Sequence, residues 1–252
     1  MYDVLLAFGD SITQYGNDPS TSGWLTHLSR FYERRLDVLN RGFSGYTTSD
    51  ARLIVESILP TSTGRPDAHR ALDKPKWPPQ DDTFPGKEPA VRLLVLFFGA
   101  NDAVFSEFPN HVPLAKFREN LRYFVSLIHD PDSDHYAPDT RILFVTPPTV
   151  GDKMYEDLAK RYGQKVKRKN EVTKMYAEAV KAVAQESGLP CVDLWSAIET
   201  RVKKMDDKSP LAYEGYDTYL IDGVHLNGNG NELLAKLAMN AIVNTWPELD
   251  PA

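Results

Sequence analysis

Two short stretches far apart in the chain hold residue types that together could transfer an acyl group. One is Gly9-Asp10-Ser11 in LAFGDSITQ, where an apolar run breaks into turn-forming residues. The other is Asp222-Gly-Val-His225 in LIDGVHLNGNGNELL, just ahead of a helical pattern. A serine hydroxyl is a poor nucleophile until a base accepts its proton. An imidazole as that base, and a carboxylate holding its tautomer, are the other two parts of a hydrolytic triad. Ser11, Asp222 and His225 are therefore the candidate catalytic residues. A plainer reading stands beside this one. Gly, Asp and Ser are ordinary turn and cap residues, and Asn227 or Asn229 can cap the last helix after a turn at Gly223. That accounts for the glycines but not for the histidine. Single histidines are usually surface or hydrogen-bonded core groups, and His27, His69, His111, His129 and His135 read that way.

Acyl transfer also needs donors aimed at a developing oxyanion. NRGFSGYTT and FFGANDA both follow apolar runs. Gly45 lets the backbone approach a ligand because no Cβ intervenes, and Asn101 offers an uncharged NH₂ donor. The Ser11 N–H is the third candidate donor. Asp10 is expected to fix the turn before Ser11, Ser44 to be a turn residue, and Asp102 to buttress the site or cap a turn. Phe98, Ala103, Val104 and Phe105 flank Asn101 and, with Pro147, are the expected lining of an acyl pocket. The same residue types are equally expected of core.

These motifs must be held by regular elements. Five short, mostly apolar segments without alternation read as strands covered on both faces: Val4–Phe8, Val38–Gly42, Leu93–Phe98, Arg141–Thr146 and Cys191–Leu194. Apolar residues at helical spacing lie between and after them, around 24–32, 51–59, 117–128, 172–183 and 233–242. Alternation of strand and helix predicts a parallel sheet between helical layers. Ligands bind such sheets at the carboxyl ends of the strands, where three of the polar motifs fall. Residues 60–90 do not fit: they carry seven prolines and no periodicity, and read as a surface excursion or a pocket wall bearing Trp77 and Phe84.

Composition narrows the partners. With 42% hydrophobic and 25% charged residues over 252 positions, the chain fits the soluble globular class. A net charge of −6 speaks against a nucleic-acid surface or an anionic membrane as the main partner. The basic run Lys165-Val-Lys-Arg-Lys169 reads as a solvated face. The apolar run Leu93–Phe98 is too short to span a bilayer, and no secretory signal is visible, so a cytoplasmic location is expected. The lone Cys191 has no disulfide partner in the chain and reads as a small buried apolar residue.

Taken in order, GDSIT, GFSGYTT, GAND and DGVH resemble the four blocks of the SGNH hydrolases, also called the GDSL esterase/lipase family, and most of all its isoamyl acetate-hydrolysing esterase branch. The family's marker Ser, Gly, Asn and His map onto Ser11, Gly45, Asn101 and His225; the name-giving leucine is Ile12 here. The resemblance runs from about residue 4 to residue 245. It implies one domain over residues 1–252 with a Pro-rich insertion at about 60–90. The implied fold is a flavodoxin-like three-layer α/β/α sandwich whose five parallel strands run in the order 2-1-3-4-5. It implies a serine esterase acting through an acyl-enzyme on small, acetate-type esters, without metal or organic cofactor. Ser11 would attack, His225 act as base then acid, and Asp222 orient it, with Ser11, Gly45 and Asn101 as the oxyanion hole. A carbohydrate O-deacetylase, thioesterase, lysophospholipase or acyltransferase would use the same machinery. Trp24, Trp77, Phe105, Tyr213, Tyr216 and Tyr219 could stack on sugar rings or simply pack. Another class is a non-catalytic nucleotide- or phosphate-binding module, against which no Gly-rich phosphate motif follows the first strand. The partner expected is a small-molecule ester; self-association stays open.

Overall fold

The computed structural model describes residues 2–61, 89–205 and 212–251. Most of the Pro-rich segment, with Trp77, Phe84 and His69, lies outside the described residues. Five parallel strands, β1 (Asp3–Gly9), β2 (Leu36–Gly42), β3 (Val91–Phe97), β4 (Arg141–Val145) and β5 (Cys191–Val192), form one sheet in the order β2-β1-β3-β4-β5. Successive residues of a strand face opposite sides, and each side meets its own core. Leu5, Ala7, Val95 and Phe97 pack with Trp24, Leu28, Ile198 and Leu234. Leu6, Phe8, Leu94 and Leu96 pack with Val55, Phe117, Phe124 and Val180. Covering on both faces is why β1 and β3 read as apolar without alternation; β2, expected to read the same way, lies at the sheet edge and alternates half-buried with exposed residues.

The helices are α1 (Ser11–Gln14), α2 (Trp24–Phe31), α3 (Thr48–Ile58), α4 (Leu114–His129), α5 (Asp152–Arg161), α6 (Asn170–Glu186), α7 (Leu194–Val202) and α8 (Gly228–Thr245). Helices α2, α7 and α8 cover one face, and α3, α4 and α6 the other. The expected strand at Cys191–Leu194 is corrected: pairing stops at Val192. Asp193 then caps α7 by accepting the Ser196 N–H at 2.9 Å, which draws Leu194 into the helix. Gly9 is needed where β1 turns into α1, because a Cβ there would lie 2.5 Å from the Phe97 carbonyl oxygen and closer still to Thr13. No helix among the described residues is long and apolar enough to cross a membrane.

Candidate active site

Strand register gathers the motifs. Gly9 is paired with Gly42 on one side and with Phe97 on the other. Ser11, Gly45 and Asn101 therefore follow three laterally aligned strand ends by two, three and four residues. At the first end, Asp10 caps α1, its Oδ1 accepting the Ile12 N–H at 2.9 Å. Trp24 pins the same helix by donating from Nε1 to the Ile12 carbonyl at 3.3 Å. Ser11 is thus the first residue of a short helix held from two sides. At the second end, Tyr46 N–H closes a turn onto the Phe43 carbonyl at 3.1 Å. Gly45 sits in that turn at φ +82°, a conformation that favours glycine. At the third, Asn101 donates one N–H to the Tyr46 carbonyl at 3.0 Å. That bond joins the asparagine to the Gly45 turn and leaves the second N–H of the amide to give.

The fourth motif arrives from the other end of the chain. Ser11 Oγ lies 2.9 Å from His225 Nε2, and His225 Nδ1 lies 2.7 Å from Asp222 Oδ2. Asp222 Oδ1 accepts the Val224 and His225 N–H groups at 2.9 and 2.8 Å. Burial alone would raise the Asp222 carboxyl, but the His225 hydrogen bond and charge, with the two amides, outweigh it and hold it at about 2. The carboxylate is ionised at any pH near neutral. Capping and turn formation, the plainer reading of this stretch, also hold: Asn227 caps α8 through the Gly230 N–H at 3.1 Å, and Gly223 turns at φ +88°. They position the histidine rather than compete with it. The Tyr15 ring stands edge-on to the imidazole at 5.7 Å.

The Asp222–His225 loop leans on a buried polar network. Gly151 N–H donates to the Gly223 carbonyl at 2.9 Å, and the segment carrying Gly151 is held from behind by Glu199. The Glu199 Oε1 accepts from Thr149 Oγ1 at 2.6 Å, from Asn170 Nδ2 at 2.8 Å and from the Tyr216 hydroxyl at 2.8 Å. Burial opposes the Glu199 charge, yet these three bonds and Lys203 keep its carboxyl below the usual range. Trp195 Nε1 and the Val150 N–H both donate to Asn170 Oδ1. The sequence carries no sign of this support, because its members come from four separate segments.

Two buried carboxyls flank the site without entering the Ser–His–Asp array. Asp10 is raised to about 6 and Asp102 to about 7, in both cases chiefly by burial. Asp102 buttresses as expected: its Oδ1 accepts the Thr48 N–H at 2.8 Å and the Thr48 hydroxyl at 2.5 Å, while Oδ2 is buried without a partner. A carboxyl whose folded-state value is raised adds stability below its unfolded value and loses it as pH rises through the folded value. Asp10 and Asp102 therefore predict stability that declines from about pH 4 to about pH 7. Asp222 acts in the opposite sense and lower, adding stability that is lost as pH falls through about 2. Asp102→Asn keeps the acceptor for Thr48 and removes the ionisation. Its thermal unfolding midpoint should fall less between pH 5 and pH 8 than that of the wild type; an equal fall would place the penalty elsewhere.

The residues expected to line an acyl pocket are mostly buried. Phe98 is buried against Phe8 and Phe124, Ala103 and Val104 are fully buried, and Pro147 is buried beside Gly99. Phe105 is half-buried, with its N–H bound to the Lys167 carbonyl at 2.7 Å. The cavity next to the imidazole, about 320 Å³, is walled by Ile12, Tyr15, Thr21, Ile221 and Leu226 with His225 and Asp222. Tyr15 follows Ser11 by one helical turn and Ile221 adjoins Asp222, so nearness to the motifs was the signal available for them. Trp24 and Tyr216, open to either reading, are packing and network residues. The other described histidines bond to Ser22 or to backbone carbonyls. The Ser44 N–H donates to Gln14 Oε1 at 2.7 Å, as befits a turn residue. Cys191 is half-buried, its thiol pushed up to about 12, mainly by burial.

A three-layer α/β/α sheet thus carries a hydrogen-bonded serine, histidine and aspartate at its carboxyl edge. Comparison with known proteins narrows this. Residues 7–233 match the model of the GDSL-like lipase/acylhydrolase family; the chain belongs to that family and is a carboxylic ester hydrolase of its type. It is 34% identical over 232 residues to the isoamyl acetate-hydrolyzing esterase 1 homolog of Bos taurus, covering 91% of this chain and 77% of that one. A GDSL esterase/lipase of Arabidopsis thaliana is 28% identical over 98% of this chain and 88% of its own length. Among solved structures, a lipase/acylhydrolase from Enterococcus faecalis superposes with a TM-score of 0.58 at 24% identity, covering 97% of each chain. An acetylxylan esterase from Geobacillus stearothermophilus does so with 0.57 at 20% identity, covering 95% of this chain and 94% of its own. At these identities the superpositions speak for the fold alone.

Proposed function

We propose that the protein is a serine esterase hydrolysing small, acetate-type carboxylic esters through an acyl-enzyme. The observation that carries this reading is the unbroken path from Ser11 Oγ through the imidazole to a carboxylate that stays ionised. Ser11 Oγ attacks the ester carbonyl carbon while its proton passes to His225 Nε2. The charge on the carbonyl oxygen is met by the Ser11 and Gly45 N–H groups and by the free N–H of Asn101. The intermediate then collapses: the bond to the alcohol breaks, and the alcohol leaves with the proton from His225. Water attacks the acyl-serine with His225 again as base, releasing the acid and restoring Ser11. No step requires a metal or an organic cofactor.

A small substrate is favoured by the cavity, which at about 320 Å³ lies at the low end of the roughly 300–1,000 Å³ usual for ligand pockets. The name of the Bos taurus relative, an isoamyl acetate-hydrolyzing esterase homolog, points the same way. Initial rates on p-nitrophenyl acetate, butyrate, octanoate and palmitate test the reading. We expect the highest kcat/KM at acetate or butyrate, and a loss of about 10²–10³-fold in kcat for Asn101→Ala, the usual cost of one oxyanion donor. A maximum at palmitate would retain the chemistry and overturn the short-chain assignment. Absence of turnover on all four would remove the esterase reading.

A further inference from the structure

In ester hydrolysis the carbonyl oxygen and the alcohol oxygen of the substrate need different partners. The carbonyl oxygen gathers charge and turns to N–H donors, here those of Ser11, Gly45 and Asn101. The alcohol oxygen leaves when it takes the proton held on His225 Nε2, so it must come to the imidazole. The cavity of about 320 Å³ has His225 among its walls, whereas Ser11, Gly45 and Asn101 are not among them. It adjoins the group that serves the alcohol and not the groups that serve the carbonyl oxygen.

Its walls say what kind of alcohol fits. Ile12 and Leu226 are buried there, but Tyr15 and Ile221 stay 46% and 53% exposed. Both are fixed against the catalytic groups. The Tyr15 N–H donates to the Ser11 carbonyl, and its ring meets the imidazole edge-on. The Ile221 N–H donates to the His225 carbonyl at 2.9 Å. Apolar surface left open beside a reacting group gains from cover by an apolar ligand. The rim is built rather than loose: Asn231, itself a wall, donates to the Thr21 carbonyl at 3.1 Å and accepts the Trp24 N–H at 3.3 Å. Asp18 and Asp222 are the acidic walls, and no lysine or arginine stands with them among the described residues. The Ser20 hydroxyl and N–H hold the Asp18 carboxyl below its usual range. Both carboxylates are therefore negative near neutral pH and repel an anion.

We propose that this cavity holds the alcohol half of the ester, as an uncharged apolar group between Tyr15 and Ile221, while the acyl group lies outside it. Tyr15 and Ile221 are then specificity residues for the alcohol. The inference rests on the esterase reading above and adds to it which half of the substrate the cavity selects.

The test follows acid release by the full-length protein on two series. One comprises the acetates of methanol, 1-butanol and benzyl alcohol; the other comprises the butyl esters of acetic, butyric and hexanoic acids. In the wild type, kcat/KM should rise about tenfold or more from methyl to butyl acetate, since each methylene counts in an apolar pocket. Ile221→Ala should cut that butyl-to-methyl ratio by about tenfold and leave the hexanoate-to-acetate ratio of the butyl esters where it was. Tyr15→Ala should do the same from the other wall. Asp18→Asn keeps the acceptor for the Ser20 N–H. It should raise the ratio of 3-acetoxypropanoate to its methyl ester a few-fold, an effect that fades with added salt. A change in the acyl ratio, alone or with the alcohol ratio, would overturn the proposal by bringing the acyl group into the cavity. A wild type that prefers methyl acetate would overturn it too, as would equal losses on every ester. An Asp18→Asn ratio equal to that of the wild type would overturn the exclusion of anions. If the wild type turned over none of these esters, the esterase reading would fall and an NMR titration with benzyl alcohol would decide alone. Shifts of the Ile221 methyl signals would keep the cavity as an alcohol site, and their absence would remove it.

Discussion

Ser11→Ala should abolish ester hydrolysis, with a fall in kcat on the order of a millionfold, because nucleophile and base act as a unit. The structure makes this a clean substitution. The hydroxyl of Ser11 has His225 Nε2 as its hydrogen-bond partner. The cap on α1 is supplied by Asp10 and the clamp on it by Trp24, and neither uses the serine side chain. Alanine is at home in a helix, so the unfolding midpoint should move little while turnover collapses. Residual rate above that of water would come from the donors alone. Labelling by a fluorophosphonate probe gives the independent readout, since it should disappear with Ser11. Ser44→Ala is the control, because Ser44 reaches Gln14 through its backbone N–H and not its hydroxyl. A collapse at Ser44 equal to that at Ser11 would reassign the nucleophile.

Why the site was legible from sequence while its pocket was not follows from where each is encoded. Ser11, Gly45 and Asn101 each sit within a few residues of a strand end, so an apolar run followed by a polar break marks them locally. Asp222 and His225 are neighbours in sequence, and their loop is self-contained through the two amides that hold Asp222. Pocket walls have no such signature. Tyr15, Thr21, Ile221 and Leu226 meet only after α1 and the Asp222–His225 loop come together. Phe98 and Ala103 were drawn toward the pocket by nearness to Asn101, yet Phe98 packs with Phe8 and Phe124, and both residues belong to the core of the α3, α4 and α6 face.

The fold divides in a similar way. Helices with a broad buried stripe, such as α4 and α6, announce themselves by periodicity. Helix α5 buries only Met154 and Ala159, so charge dominates its sequence and no stripe shows. Helix α7 was hidden by the short strand before it, since Cys191-Val-Asp-Leu reads as one apolar run until Asp193 is seen capping.

Asp222→Asn should lower kcat by about 10⁴-fold, the cost of holding the base in the wrong tautomer, and the local geometry says why the amide cannot choose otherwise. Asp222 Oδ1 receives two backbone N–H groups, from Val224 and His225. An asparagine must keep its carbonyl oxygen there, because turning the NH₂ toward two donors would oppose like to like. Its NH₂ then faces His225 Nδ1, where Asp222 Oδ2 now lies at 2.7 Å. Facing a donor, Nδ1 becomes the acceptor and the proton moves to Nε2, the atom that must accept from Ser11. The imidazole stays in place and loses its function as a base. Nitrogen NMR of the imidazole should therefore show the proton on Nε2 in the variant and on Nδ1 in the wild type. Asp222→Ala, which imposes no tautomer, is the informative comparison: a higher rate for alanine than for asparagine would show that the tautomer and not the lost charge sets the penalty. An Asp222→Asn enzyme within a small factor of the wild type would mean that the carboxylate, though ionised and bonded to His225, is not what orients the base.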